Sequence, residues 1–231
     1  MEMTALAIRG LVWAIKVTMG DVTAHAPVSI MREAILHLQA ADPVIGGIIA
    51  RVGSYRIQFR EPGFETLVKS IVNQQLSGRV AQVIFGRLTA AVPEGLLTPE
   101  NVLALRPAKM RSLGLSKQKT AYIRDLARLT RDGRLDFSQL ANLPDAEVIE
   151  RLTQVKGVGV WTAHMFLIFA LRRPDILATG DLGVRIAIRK AYQLEELPHP
   201  KQVEELAAAW RPYSSVAVWY LWRSLDSTAQ I

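Results

Sequence analysis

Two glycines, a lysine and one acid carry most of the chemistry this chain could do. The stretch Leu152-Thr-Gln-Val-Lys-Gly-Val-Gly-Val-Trp-Thr-Ala-His164 reads as a helix end, a Gly-x-Gly hairpin and a second helix. Thr179-Gly-Asp-Leu-Gly183 follows, with a single carboxylate in a loop bounded by glycines. Glycine tolerates positive φ and puts no side chain between the backbone and a ligand. The amides of Gly157 and Gly159 directly precede a helix, so they and the helix dipole could hold an anion such as phosphate. Lys156 adds a cation in the same turn. Asp181 could then sit beside a sugar. Each feature also has a plainer reading. Gly-x-Gly between helices is often only a tight turn, and Asp181 could simply N-cap a helix beginning near Leu182.

The elements that must position these residues are nearly all helical. Apolar spacing predicts helices over 31–39, 44–52, 64–73, 78–91, 99–105, 107–113 and 117–132. It continues with 145–152, 160–171, 182–192, 201–210 and 214–224. Pro144-Asp145 marks a helix start, with Asp near the positive end. The run from Val160 to Leu171 is almost wholly apolar and implies a buried helix. Tyr55 to Phe59 alternates weakly and fits a strand or an extended linker. No fixed-period repeat is visible.

Composition bounds the rest. The chain has 231 residues, enough for a sizeable core. It carries 28 Lys+Arg against 21 Asp+Glu, a formal charge of +7 that suits a polyanionic partner. Zero cysteines exclude disulfides, cysteine nucleophiles and thiolate metal sites. The four histidines show no ligand spacing, so His164 is read as a hydrogen-bonded core or cleft residue rather than a metal ligand. No uncharged apolar run approaches the ~20 residues of a membrane span. Residues 1–30 form an N-terminal extension. Arg9 and Lys16 interrupt its apolar stretch, which argues against a signal peptide. Initiation at Met19 or Met31 would shorten it.

The residues from Leu152 to Ala163, with Gly180-Asp-Leu-Gly183, resemble the helix-hairpin-helix, Gly/Pro-Asp superfamily of DNA glycosylases. Within it, the chain is similar to the 3-methyladenine DNA glycosylase II branch. Three further blocks agree: Phe64-Glu-Thr-Leu-Val-Lys-Ser-Ile-Val-Asn-Gln-Gln-Leu-Ser77, Arg111-Ser-Leu-Gly-Leu-Ser-Lys-Gln-Lys-Thr-Ala-Tyr122 and Trp210-Arg-Pro-Tyr-Ser-Ser-Val-Ala-Val-Trp-Tyr-Leu-Trp222. The blocks fall in family order over residues 31 to 223. Two departures matter. Trp161 stands where lyase-active relatives carry a lysine, and a Schiff base needs an amine nucleophile. The four cysteines that hold an iron–sulfur cluster in many relatives are lacking. Gly180 also replaces the more common Pro or Asp.

The resemblance implies an all-α fold of two helical subdomains flanking a DNA-binding cleft. One is discontinuous, 31–62 with 179–231. The other is a six-helix barrel, 63–178, that holds the hairpin. It implies a monofunctional glycosylase that flips out alkylated purines of the 3-methyladenine and 7-methylguanine type and hydrolyses their N-glycosidic bond. Asp181 would stabilise the oxocarbenium-like charge on the sugar. Trp161, Trp222 and Tyr213 would wall the base pocket, with Met165 and Leu182 leaving it more open, although aromatics also pack cores. Gln75 would fill the gap left by the flipped base, or else face solvent. Asn73 and Gln74 could instead cap that turn. Phosphate contacts would come from Gly157, Gly159 and Lys156, with Lys117, Lys119 and Arg185 as weaker candidates. The carbonyls of Thr153, Val155 and Gly157 could coordinate Na+ or K+, and no other cofactor is expected. The expected partner of the monomer is double-stranded DNA with damaged bases, not a membrane. The expected compartment is the cytoplasm, at the nucleoid of a prokaryote, or the nucleus of a eukaryote. Activity on deaminated or oxidised bases, or DNA binding without catalysis, are the alternatives.

Overall fold

The computed structural model describes residues 28–226, so most of the N-terminal extension lies outside the described residues. The described residues are helical, without strands. They divide into two compact units, 28–59 with 172–226 and 60–171.

The discontinuous unit is built on α1 (Val28–Ala41), α2 (Pro43–Val52), α11 (Leu182–Ala191), α12 (Pro200–Ala207) and α13 (Ser214–Asp226). α13 is buried along nearly its whole length and packs on α1, α2 and α11. Leu38, Ile45, Val184, Ile188, Trp210 and Tyr220 fill the core between them. One acid organises the polar part of this core. Asp42 is 8% exposed and N-caps α2, its Oδ1 accepting from the amides of Val44 (2.9 Å) and Ile45 (3.2 Å). Its Oδ2 accepts from the Trp210 indole at 2.8 Å and from the Tyr192 hydroxyl. Burial, then the bond to Asp42, pushes the Tyr192 pKa up. A buried carboxylate is tolerated only when its lone pairs are so occupied.

Residues 54–59 form an extended segment, not a strand. The weak alternation has a physical cause. Tyr55, Ile57 and Phe59 are half-buried while Arg56 and Gln58 are exposed. Tyr55 packs against Trp219 at a tilt of 59°, with ring centres 4.6 Å apart.

The continuous unit contains α3 (Phe64–Asn73), α4 (Gly78–Ala90), α5 (Pro99–Ala104), α6 (Pro107–Ser112), α7 (Lys117–Arg131), α8 (Phe137–Leu140), α9 (Asp145–Thr153) and α10 (Val160–Phe169). α7 is the hub and packs on α3, α5 and α6. Ile123, Leu126 and Ala127 of α7 are fully buried, and Arg124 closes the end of α5 by donating to the carbonyls of Leu103 (3.2 Å) and Leu105 (2.7 Å). The helix bounds fall within a few residues of those read from apolar spacing. α8 is the exception. It is a single turn started by the Asp136 carboxylate on the Ser138 amide (2.9 Å), too short to show a period.

Candidate DNA-binding and base-excision site

Asp181 performs the capping role, and this is what fixes its carboxylate. Its Oδ1 accepts from the Val184 amide at 2.7 Å, which starts α11. The same oxygen accepts from the Trp222 indole of α13 at 2.9 Å. Asp181 is 2% exposed and Trp222 is 4% exposed. Both donors are therefore desolvated, and hydrogen bonds to charged groups are the stronger kind. Gly183 makes the approach possible. A Cβ there would lie 3.1 Å from Asp181 Oδ1 and 3.2 Å from Trp222 Cδ1. Capping and a preset carboxylate thus coexist, so the two readings of Asp181 are not exclusive.

The indole–carboxylate bond gives Trp222 a job that sequence reading missed. A stacking wall was expected. That role concerns the ring face, whereas the N–H is aimed at the acid 41 positions away. Leu182 is half-buried at the start of α11. Arg185 also belongs to this unit, and its Nε donates to the Pro198 carbonyl at 2.7 Å. It braces the loop before α12.

Tyr213 is placed elsewhere. Its ring meets His37 edge-on at 5.4 Å, and its hydroxyl bonds Glu33, which pushes its pKa up. With Arg32, Leu36 and Pro212 these residues line a groove of about 650 Å³ that includes neither Asp181 nor Trp222. The expectation of a pocket wall is replaced by a surface contact on α1.

The hairpin lies in the continuous unit between α9 and α10. Gly157 has φ +79°, where a side chain is strained. It is also pressed on Tyr122, and an added Cβ would come within 2.1 Å of that ring. Gly159 differs. It is extended (φ −97°, ψ 175°), and an added Cβ would meet nothing within 4 Å. The fold does not require glycine there, whereas close approach of a ligand to the backbone would. Gly159 also begins α10 without any side-chain cap, a place where helix amides are left for an anion.

Lys156 is exposed, with its amide donated to Asp125 Oδ2 (3.0 Å) and its ammonium 3.8 Å from Oδ1. Of the three carbonyls considered for a monovalent cation, Val155 accepts from the Val158 amide (3.0 Å) and Gly157 from the Gln74 side chain (2.9 Å). Each carbonyl oxygen has a second lone pair, so these bonds do not preclude coordination. Thr153 turns its hydroxyl back onto the Ile149 carbonyl at 2.8 Å.

Trp161 opens α10 with 37% of its surface exposed, beside Val160 at 53%. It is not a core residue. Met165 and His164 are half-buried, and burial lowers the pKa of His164. Among the described residues there is no cluster of three or more His, Cys, Asp or Glu able to hold a metal ion.

Gln75 stands at an exposed tip with φ 55°, a left-handed conformation uncommon for a non-glycine residue. Such strain persists where the surroundings hold it, often at functional positions. Gln74 does not cap its own turn but reaches the hairpin. Asn73 turns back onto the Lys69 carbonyl at 2.6 Å. Lys117 is exposed at the start of α7. Lys119 is not a free phosphate ligand, because its ammonium donates to the carbonyls of Val72 (2.8 Å) and Gln74 (2.6 Å).

Comparison with known proteins shows the family. The model of the HhH-GPD superfamily of base excision DNA repair proteins matches residues 68–212. The chain is 32% identical over 203 residues to DNA-3-methyladenine glycosylase 1 of Schizosaccharomyces pombe, covering 85% of this chain and 89% of that one. Two solved structures are similar throughout. The S. pombe 3-methyladenine DNA glycosylase in complex with abasic DNA has a TM-score of 0.73 at 33% identity, covering 82% of this chain and 95% of that one. The DNA-3-methyladenine glycosidase of Bacillus halodurans has a TM-score of 0.78 at 34% identity, covering 92% and 95%.

Proposed function

The chain belongs to the HhH-GPD superfamily of base excision DNA repair proteins, and we propose that it is a monofunctional DNA glycosylase acting on alkylated purines in double-stranded DNA. The observation that carries this reading is the Asp181 carboxylate, buried and fixed by two donors at the start of α11. Hydrolysis breaks the bond between the sugar C1′ and the base nitrogen, the base leaves neutral with the electron pair, and water adds at C1′ and gives up a proton. Positive charge builds on the sugar in the transition state. A carboxylate about 4 Å away contributes roughly 4 kcal/mol at an effective dielectric near 20. That is about a thousandfold in rate. An alkylated purine already carries positive charge, so it needs no strong general acid to depart. Because Asp181 is held by the fold, it does not reorganise as the charge appears.

The hairpin amides and Lys156 would grip the phosphate backbone, which positions the enzyme without reading sequence. Gln75 would enter the stack as the base leaves it, and the exposed Trp161 offers a face for an electron-poor ring. A monovalent cation on the carbonyls of Thr153, Val155 and Gly157 would add positive charge toward the same phosphate. Trp161 supplies no amine, so the reaction stops at the abasic site without strand cleavage. Among the described residues no helix is long and apolar enough to cross a membrane. Acting as a monomer on chromosomal DNA, the enzyme would work at the nucleoid or in the nucleus. The test is release of 3-methyladenine and 7-methylguanine from methylated duplex DNA by the native protein and by Asp181→Asn. No release by the native protein from such DNA, with duplex binding intact, overturns the proposal.

A further inference from the structure

The block Arg111–Tyr122 has no part in the chemistry above, yet its second half opens α7. Lys119, Tyr122 and Asp125 follow at three-residue spacing along one stripe of that helix. Each supports a different piece of backbone. Lys119 Nζ joins the carbonyls of Val72 and Gln74, on either side of the end of α3. The Tyr122 ring fills the space beneath Gly157. Asp125 holds the amide of Lys156. Gln74 closes the set, its Nε2 donating to the Gly157 carbonyl at 2.9 Å. One helix face thus carries both the turn that presents Gln75 and the hairpin.

The left-handed backbone at Gln75 is strained for a non-glycine residue, so it needs such support. The Lys119 ammonium is half-buried, and two of its three donors are committed to carbonyls of this turn. Its placement is that of a brace rather than of a surface cation waiting for a phosphate.

We propose that Lys119 is a positioning residue for base flipping: through the carbonyls of Val72 and Gln74 it fixes the turn that presents Gln75, in register with the hairpin that Tyr122 and Asp125 hold. This rests on the glycosylase reading and on Gln75 as the residue that fills the gap.

The test uses the full chain and a duplex carrying 2-aminopurine beside 2′-fluoro-7-methyldeoxyguanosine, which resists hydrolysis. Fluorescence then reports unstacking, and single-turnover release from ordinary methylated DNA reports excision. Lys119→Met keeps the alkyl stem and removes the ammonium. It lowers both unstacking and excision by at least about tenfold, since both charge-assisted hydrogen bonds to the turn are lost and one alone is worth about that factor. Affinity for undamaged duplex and its salt dependence stay unchanged. Lys119→Arg restores most of the loss, and Gln74→Ala shows the same defect in weaker form. Lys119→Met combined with Gln75→Ala is no slower than Gln75→Ala alone, because the lysine acts through the wedge. Should Lys119→Met not fold, Lys119→Gln, which keeps one donor group, is measured in its place beside Gln74→Ala.

The proposal is overturned if the two losses multiply. It is also overturned if the variant loses thermal stability but flips and excises normally. A uniform fall in duplex affinity with a shallower salt slope would make Lys119 a phosphate ligand instead. Unchanged unstacking in Gln75→Ala removes the wedge, and the role of Lys119 with it. Absence of methylpurine release by the native protein defeats the glycosylase reading itself.

Discussion

Replacing Asp181 by asparagine and by alanine separates its two jobs along different axes. Asparagine keeps the shape and an acceptor oxygen, and it N-caps about as well as aspartate. The Val184 amide at 2.7 Å and the Trp222 indole at 2.9 Å both keep a partner. Stability should therefore change by no more than about 1 kcal/mol. The negative charge is gone, and excision should fall by about a thousandfold on the Coulomb argument for a carboxylate near the sugar. Alanine removes the cap, worth about 0.5–2 kcal/mol. It also strands the indole N–H of a residue that is 4% exposed, at about 1–3 kcal/mol. The sum, roughly 1.5–5 kcal/mol, corresponds to a melting temperature lower by about 3–20 °C for a domain of this size. The measurements are thermal melts by circular dichroism and single-turnover release of 7-methylguanine. Excision by Asp181→Asn within about tenfold of native would refute the electrostatic role and leave Asp181 as a cap only. Equal melting temperatures for the two variants would refute the account of how the carboxylate is held.

Three further outcomes follow from the same contacts. The hairpin glycines should part company. Gly157→Ala, at φ +79° with its Cβ 2.1 Å from Tyr122, should lose more than about 2 kcal/mol in a denaturant melt. Gly159→Ala, with open space around its Cβ, should melt nearly like native and lose duplex affinity instead. Gly183→Ala should gain helix propensity of up to about 1 kcal/mol against a Cβ only 3.1 Å from Asp181 Oδ1, leaving stability near native. Its excision rate should fall as the indole and carboxylate are pushed apart, and an unchanged rate would show that their contact is not needed. Duplex binding should weaken steeply with salt, and Lys156→Ala should lower the slope by about one. A flat salt titration of the native protein would contradict a backbone-phosphate mode of binding.

The parts of this molecule legible in its sequence share one property: their cause is local. Helix bounds follow from apolar spacing, and Gly157 follows from a turn that needs positive φ. Asp181 is legible because Gly180-Asp-Leu-Gly183 follows the Gly-x-Gly hairpin in family order, although an isolated acid before an apolar helix reads first as a cap. The parts that sequence does not show depend on partners far along the chain. Nothing near Trp222 in sequence shows that its N–H meets an acid 41 residues away. Lys119 reads in sequence as a weak phosphate candidate, since a lysine in the first turn of a polar helix face often faces outward. Only the fold brings it to carbonyls 45 and 47 residues back. Tyr213 was assigned to the pocket because it lies in a family block, while its actual neighbours, His37 and Glu33, belong to α1.

The same distinction explains why one glycine of the hairpin is ambiguous in sequence and the other is not. Gly157 is demanded twice by the protein itself, once by backbone conformation and once by the Tyr122 ring. Gly159 is demanded by neither, for its backbone is extended and its Cβ position is empty. A residue that the fold leaves free to vary, at an uncapped helix start in an exposed turn, is better explained by what approaches from outside. Glycine at 159 leaves the α10 amides open to approach, and a duplex offers a phosphate oxygen as their acceptor. On the proposed function, that open space is where the phosphate of a bound duplex would lie.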